Sequence, residues 1–222
     1  MARPTLNDDE RALRRAQLLA AAHALFRASM ELPSVAAIAE VAGVAKGTVY
    51  LSFGSKEEIF IALLEDSFAT LLQGVVPAIA RLPAQPGAAA ERFAALYAQA
   101  VAAVPDLLPL AAMTNAVLEK NLPVPAMLAF KTGLASGLDS AATALAQSAL
   151  RLDHDRGVDL LLRTWSMTLG LWQALDFPQA LRGHMRQAPL AVFDRDFASE
   201  LAHAVGALWR GSLARTGTRR AH

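Results

Sequence analysis

Residues 34–60 read SVAAIAEVAGVAKGTVYLSFGSKEEIF, and their spacing decides the fold. Val35, Ile38, Ala39 and Ala42 recur at helical intervals, and Ser34, just after Pro33, suits an N-cap. Gly43 ends this short helix. A second helix runs from about Ala45 to Phe53, with Val49 and Phe53 four apart on its inner face. Helix, turn and helix over 34–53 meet the demands of a DNA-binding helix-turn-helix. Ala39 is small where the two helices cross, Gly43 supplies the positive φ of the turn, and Val49 locks the second helix onto the first. In that motif the second helix enters the major groove, N-terminal residues toward the DNA.

With Val49 and Phe53 inward, Lys46, Gly47 and Tyr50 face outward. Gly47 costs up to about 1 kcal/mol against alanine in a helix. A missing side chain there lets the backbone approach a bulky partner. Lys46 brings charge, and the Thr48 and Tyr50 hydroxyls can donate to phosphate oxygens. Lys56 opens the next helix, whose amides and positive dipole end form a phosphate seat. Ser55-Lys56-Glu57-Glu58 has the form of a capping box, with Glu58 reaching back to the serine. Singly, each feature has an ordinary reading as cap, turn or solvated side chain. Their joint order and spacing point to DNA.

The run from about residue 10 to 66, LLAAAHALF and then SVAAIAEVAGVAKGTVYLSFGSKEEIF, resembles the N-terminal domain of TetR-type (tetracycline-repressor-like) transcriptional regulators. The resemblance implies an all-α homodimer: a three-helix helix-turn-helix head and a larger C-terminal helical bundle that pairs subunits and binds a small molecule. By position it implies that Ser34, Lys46, Thr48, Tyr50 and Lys56 touch the DNA backbone. Gly47 then allows close approach, and Ala45, Lys46 and Tyr50 lie nearest the bases. Three departures stand out. The turn over Arg27–Pro33 has no glycine, Ala45 replaces a common capping serine, and Leu51-Ser52 stands where an aromatic ring often follows the tyrosine.

Composition agrees with an all-helical chain. Of 222 residues, 54% are hydrophobic, and alanine and leucine dominate over β-branched types. Net charge is only +1, so a DNA surface must be local. The absence of cysteine removes disulfides, thiolate metal sites and cysteine nucleophiles. The charged N-terminus lacks the apolar core of a signal peptide. Prolines and charges interrupt 95–118 and 157–175, so no membrane span is expected and the location is read as cytoplasmic.

Head and bundle are expected at 9–55 and 56–213, with a disordered tail over 214–222. After a first helix from Asp9 to about Ala28, the helix following Gly54 is expected to end near Val76, before Pro77. Leu82–Gly87 reads as a loop. Later helices are expected near 88–104, 107–119, 125–150, 155–175 and 190–212, with loops at Asn121–Pro125 and Asp176–Pro189. The last two would pair subunits through Leu161, Trp165, Thr168 and Trp172, together with Phe193, Phe197, Leu201, Leu208 and Trp209.

Phe93, Tyr97, Met113, Met127, Phe130 and Trp172 are candidate contacts for a small, largely apolar effector, although such residues are more often core. No catalytic residue, metal site or cofactor is indicated. The five histidines have no paired ligand spacing, Asp153-His154-Asp155 reads as a helix start, and no nucleophile elbow or phosphate loop occurs. The reading is a regulator, most often a repressor, on a double-stranded, roughly palindromic operator. The alternatives are an activator, or a helical carrier or enzyme retaining the head as scaffold.

Overall fold

The computed structural model describes residues 8–114 and 119–214, and among them only helices and loops occur. Ten α-helices follow in order: α1 (Asp8–Ser29), α2 (Val35–Val41), α3 (Lys46–Ser52), α4 (Lys56–Ala80), α5 (Pro86–Ala102), α6 (Leu107–Met113), α7 (Val124–Gln147), α8 (His154–Leu175), α9 (Gln179–Arg182) and α10 (Phe197–Ala214). Two compact units divide the chain. The first comprises 1–67 and 109–131, and the second 68–108 and 132–222. Residues 1–7 and 115–118, and the expected tail beyond Ala214, lie outside the described residues.

In the first unit α1, α2 and α3 pack on one another. Leu18, Ala22 and Phe26 of α1 are buried, with Val35, Ile38 and Ala39 of α2, Val49 of α3, and Phe53. The Phe26 and Phe60 rings lie 6.3 Å apart. Burying side chains of this size contributes about 1.5–3 kcal/mol each. The glycine-free turn after α1 is closed by Met30, which takes the left-handed conformation at φ 56° and donates its amide to the Phe26 carbonyl at 2.6 Å. A glycine would take that conformation without the cost that a Cβ imposes there.

In the second unit α10 packs on α5 and α8. Trp209 stacks on Phe93 with centroids 3.6 Å apart, and Phe93 stacks on Tyr97 at 5.4 Å. The polar ends of these rings are satisfied by threonines of α8. Trp209 Nε1 donates to Thr164 Oγ1 at 3.0 Å, while Thr164 donates to the Leu160 carbonyl at 2.7 Å. Thr168 gives its one hydroxyl hydrogen to the Thr164 carbonyl (2.7 Å), so across the 3.1 Å contact Tyr97 is the donor. Burial pushes the Tyr97 phenol up to about 12, with the Thr168 contact pulling the other way.

Several boundaries depart from the sequence reading. α4 continues through Pro77 to Ala80, because a proline this near the end removes one helical bond without ending the last turn. Pro86 opens α5 at its first position, so the loop ends earlier than expected. α6 stops at Met113 rather than running toward 119, and a 3₁₀ turn occupies Glu119–Asn121. α7 starts at Val124 and ends at Gln147. The short α9 interrupts the loop expected at Asp176–Pro189. The last helix begins at Phe197, after a 3₁₀ turn over Leu190–Phe193, since Asp196 accepts the Ser199 amide at 2.8 Å and caps it.

α4 is long and apolar enough to cross a membrane by length and composition, a stretch the hydropathy reading passes over. Its Ile59, Phe60, Leu64, Leu71, Val75 and Ile79 are nonetheless buried in the fold.

Candidate nucleic-acid interface

α2 begins where Ser34 Oγ accepts the Ala37 amide at 3.1 Å. Its end is turned by Gly43, at φ +67°, a conformation that strains any residue bearing a Cβ. Ala45 is the N-cap of α3 and gives it no side-chain bond. α3 is anchored from beneath by Val49 and, just past its end, by Phe53.

A residue that the sequence reading did not single out braces the far end of α3. The Arg15 guanidinium lies 4.1 Å from the Phe53 ring centroid, and its Nη1 donates to the Ser52 carbonyl at 3.3 Å. A cation at a helix C-terminus and over an aromatic face is favoured on both counts. Arg15 is three residues before the buried Leu18 on α1, a spacing that carries the signal in retrospect.

What remains is the outward strip of α3: Lys46, Gly47, Tyr50 and Leu51, all exposed. Neither the Lys46 ammonium nor the Tyr50 hydroxyl has a hydrogen bond or ion pair among the described residues. A Cβ built on Gly47 meets nothing within 4 Å, and the backbone there is not in the left-handed region. The fold therefore requires glycine at 43 and does not require it at 47. Thr48 is half-buried beside the strip, and Ala45 is exposed at its head.

Lys56 is placed differently from the other candidates. It is half-buried, and its ammonium donates to the Leu32 carbonyl at 3.1 Å. Ser55 Oγ accepts the Glu58 amide at 3.2 Å, as the capping box requires, but the Glu58 carboxylate accepts from Gly54 N–H at 2.8 Å rather than from the serine amide. The Glu58 carboxylate thus reaches one residue further back than in the ideal box.

The candidate effector residues fall in both units. Phe93, Tyr97 and Trp172 belong to the second, and Met113, Met127 and Phe130 to the first. Phe93, Tyr97 and Phe130 are buried, and Met113, Met127 and Trp172 are half-buried. Trp172 lines a cleft of about 700 Å³ within the second unit. Phe177 and Phe193 meet edge to face in the same cleft at 5.7 Å. Arg182 pairs with Asp176 at 3.5 Å and Arg186 with Asp194 at 3.8 Å. Of the residues expected to pair subunits, Leu161, Thr168, Leu201 and Trp209 are buried within the chain itself. Among the described residues no cluster of three metal-ligating side chains occurs.

An all-α chain with a braced helix-turn-helix and a bare outward strip is a DNA-binding regulator by class. The comparisons place it more closely. Residues 18–63 match the family described as bacterial regulatory proteins, tetR family, and residues 64–216 match the tetracyclin repressor-like C-terminal domain. The chain belongs to the TetR family of transcriptional regulators.

Solved structures share the fold. The fatty acid degradation regulator FadR from Bacillus halodurans is 17% identical, with a TM-score of 0.55 over 97% of this chain and 99% of that one. A TetR-family regulator from Mesorhizobium loti is 16% identical, with a TM-score of 0.57 over 92% and 97%. FadR from Bacillus subtilis, crystallised in complex with stearoyl-CoA, is 20% identical, with a TM-score of 0.53 over 89% and 98%. No match was found among curated proteins.

Proposed function

We propose that the chain is an effector-released repressor that grips a palindromic operator as a homodimer. The observation that carries this reading is Gly47, a helical glycine that neither packing nor backbone conformation explains. Lys46, Thr48 and Tyr50 flank it as phosphate and base contacts, with Ala45 at the groove edge and Ser34 at the neighbouring backbone. Because the Lys56 ammonium is held by Leu32, Lys56 meets phosphate through its backbone amide at the positive end of α4.

Two α3 helices in successive major grooves would stand about 34–36 Å apart. The exposed Leu162 and the half-buried Trp165 of α8, with Leu208 of α10, supply apolar surface for pairing. Head and effector domain divide near residue 55. The partner being DNA, the protein works in the cytoplasm and needs no catalytic group.

The effector enters the cleft beside Trp172. A volume of about 700 Å³ suits a small organic molecule. Phe177, Phe193 and Trp172 match an apolar body, and the loosely paired Arg182 and Arg186 match an anionic head. The stearoyl-CoA held by the Bacillus subtilis regulator has both parts, which supports an amphiphile here.

Selection of bound fragments from genomic DNA, followed by gel shift across a salt series, tests the reading. A palindromic consensus whose affinity falls steeply with salt is expected. Recovery of no common sequence, with no retention at low salt, would remove the repressor reading.

A further inference from the structure

Leu51 belongs to the same outward strip, and its chemistry has no use inside the fold. It is 70% exposed, the most exposed large hydrophobic side chain among the described residues. A single exposed leucine is ordinary on a protein surface. This one lies in a seven-residue helix whose hold on the core is complete without it, through Val49 and the adjoining Phe53. It sits one turn beyond Gly47, hence on the same face, directly next to the region that has been cleared of side-chain bulk.

We infer that Leu51 is a specificity-determining residue that reads the 5-methyl group of a thymine in the major groove. The inference rests on the DNA-binding reading of α3. Base edges in the major groove present donors and acceptors, and thymine adds the one apolar group found there. A leucine has no hydrogen-bonding atom, so it gains nothing from the polar edges and leaves them unsatisfied when it dries them. Only the methyl offers it a contact that lowers free energy. Lys46, Tyr50 and the bared backbone at Gly47 bring the helix close enough by engaging phosphates and neighbouring bases. Leu51 then discriminates. Each operator half-site should carry an A·T pair facing the C-terminal half of α3, with the thymine methyl toward the protein.

Replacing single thymines of the selected operator by deoxyuridine removes one methyl and leaves every hydrogen-bonding atom in place. Full-length protein and Leu51→Ala are titrated against each duplex. A replacement in one half-site should weaken the wild-type protein about fourfold, the factor that burying one methyl group is worth, and the same replacement in both half-sites about fifteenfold. The same replacement should change Leu51→Ala binding less than about 1.5-fold, and Leu51→Ala should match wild type in thermal stability because the side chain is exposed. If no replacement weakens wild type, or the sensitive one weakens both proteins equally, Leu51 does not read the methyl, although the operator reading survives. Failure of wild type to bind any duplex overturns both.

Discussion

In the second unit Trp209, Tyr97, Thr164 and Thr168 each pass a polar hydrogen to a neighbour inside the chain, while on α3 Lys46, Gly47, Tyr50 and Leu51 are exposed and the polar side chains of Lys46 and Tyr50 have no partner within the fold. Both regions are helical, and both carry aromatic and hydroxyl groups. They differ in where the partners are. A buried polar group must be matched within the molecule, because leaving it unmatched costs about 1–3 kcal/mol. An exposed strip has no such constraint, so its composition records what meets it from outside. An aromatic residue is therefore weak evidence of a ligand in the first region, whereas an exposed lysine, tyrosine and leucine around a bare glycine are together stronger evidence of a partner in the second.

The largest effect that separates the two regions is expected in the core. Trp209→Ala removes the ring stacked on Phe93 and the donor to Thr164, and should cost about 3–5 kcal/mol of stability by denaturant titration. A loss below about 1 kcal/mol would mean that the aromatic stack is not the core described.

Next comes the pH response of the same stack. The Tyr97 phenol is raised from 10.0 to about 12, so the folded state keeps its proton where the unfolded state loses it. Its contribution is complete below about pH 10 and is lost as pH rises to about 12, by roughly 3 kcal/mol across the window. Melting curves of wild type and Tyr97→Phe from pH 9 to 12 should diverge in slope, with the variant flatter; parallel curves would contradict the burial of the hydroxyl.

On α3 the order of effects reverses. Lys46→Ala and Tyr50→Ala should each leave stability within about 0.5 kcal/mol, since neither side chain is engaged by the fold. Operator affinity should fall by about 1–3 kcal/mol each, a loss of about fivefold to 150-fold. Gel shift and sizing on both variants distinguish a lost contact from a lost dimer, and unchanged affinity would remove these two residues from the interface.

The head was legible because its signals are local. Ser34, Gly43, Val49 and Phe53 follow one another at intervals of nine, six and four residues, and each does one job that only a few residue types can do. The turn after α1 was less so: with no glycine in Arg27–Pro33, nothing in the sequence marked Met30 as the left-handed residue. Arg15 escaped notice because its partners, Ser52 and Phe53, are distant in sequence. The second unit was hardest. Its helices are apolar on more than one face, so periodicity could not tell Trp209, which is buried, from Trp172, which lines the cleft. The Asp196 cap outweighed the apolar run at Leu190–Phe193 in setting the start of α10, and sequence spacing did not announce it.

Gly47→Ala tests the central claim most directly, because it sets the needs of the fold against the needs of the partner at one carbon atom. The added methyl meets open space in the free protein. Stability should therefore hold or rise, by up to about 1 kcal/mol, as alanine replaces glycine in a helix. Affinity for the selected operator should drop at least about tenfold, the cost of one spoiled contact in a protein–DNA interface. A variant that is as stable as wild type or more so and binds DNA equally well would contradict the account, because the bare backbone of α3 would then face nothing.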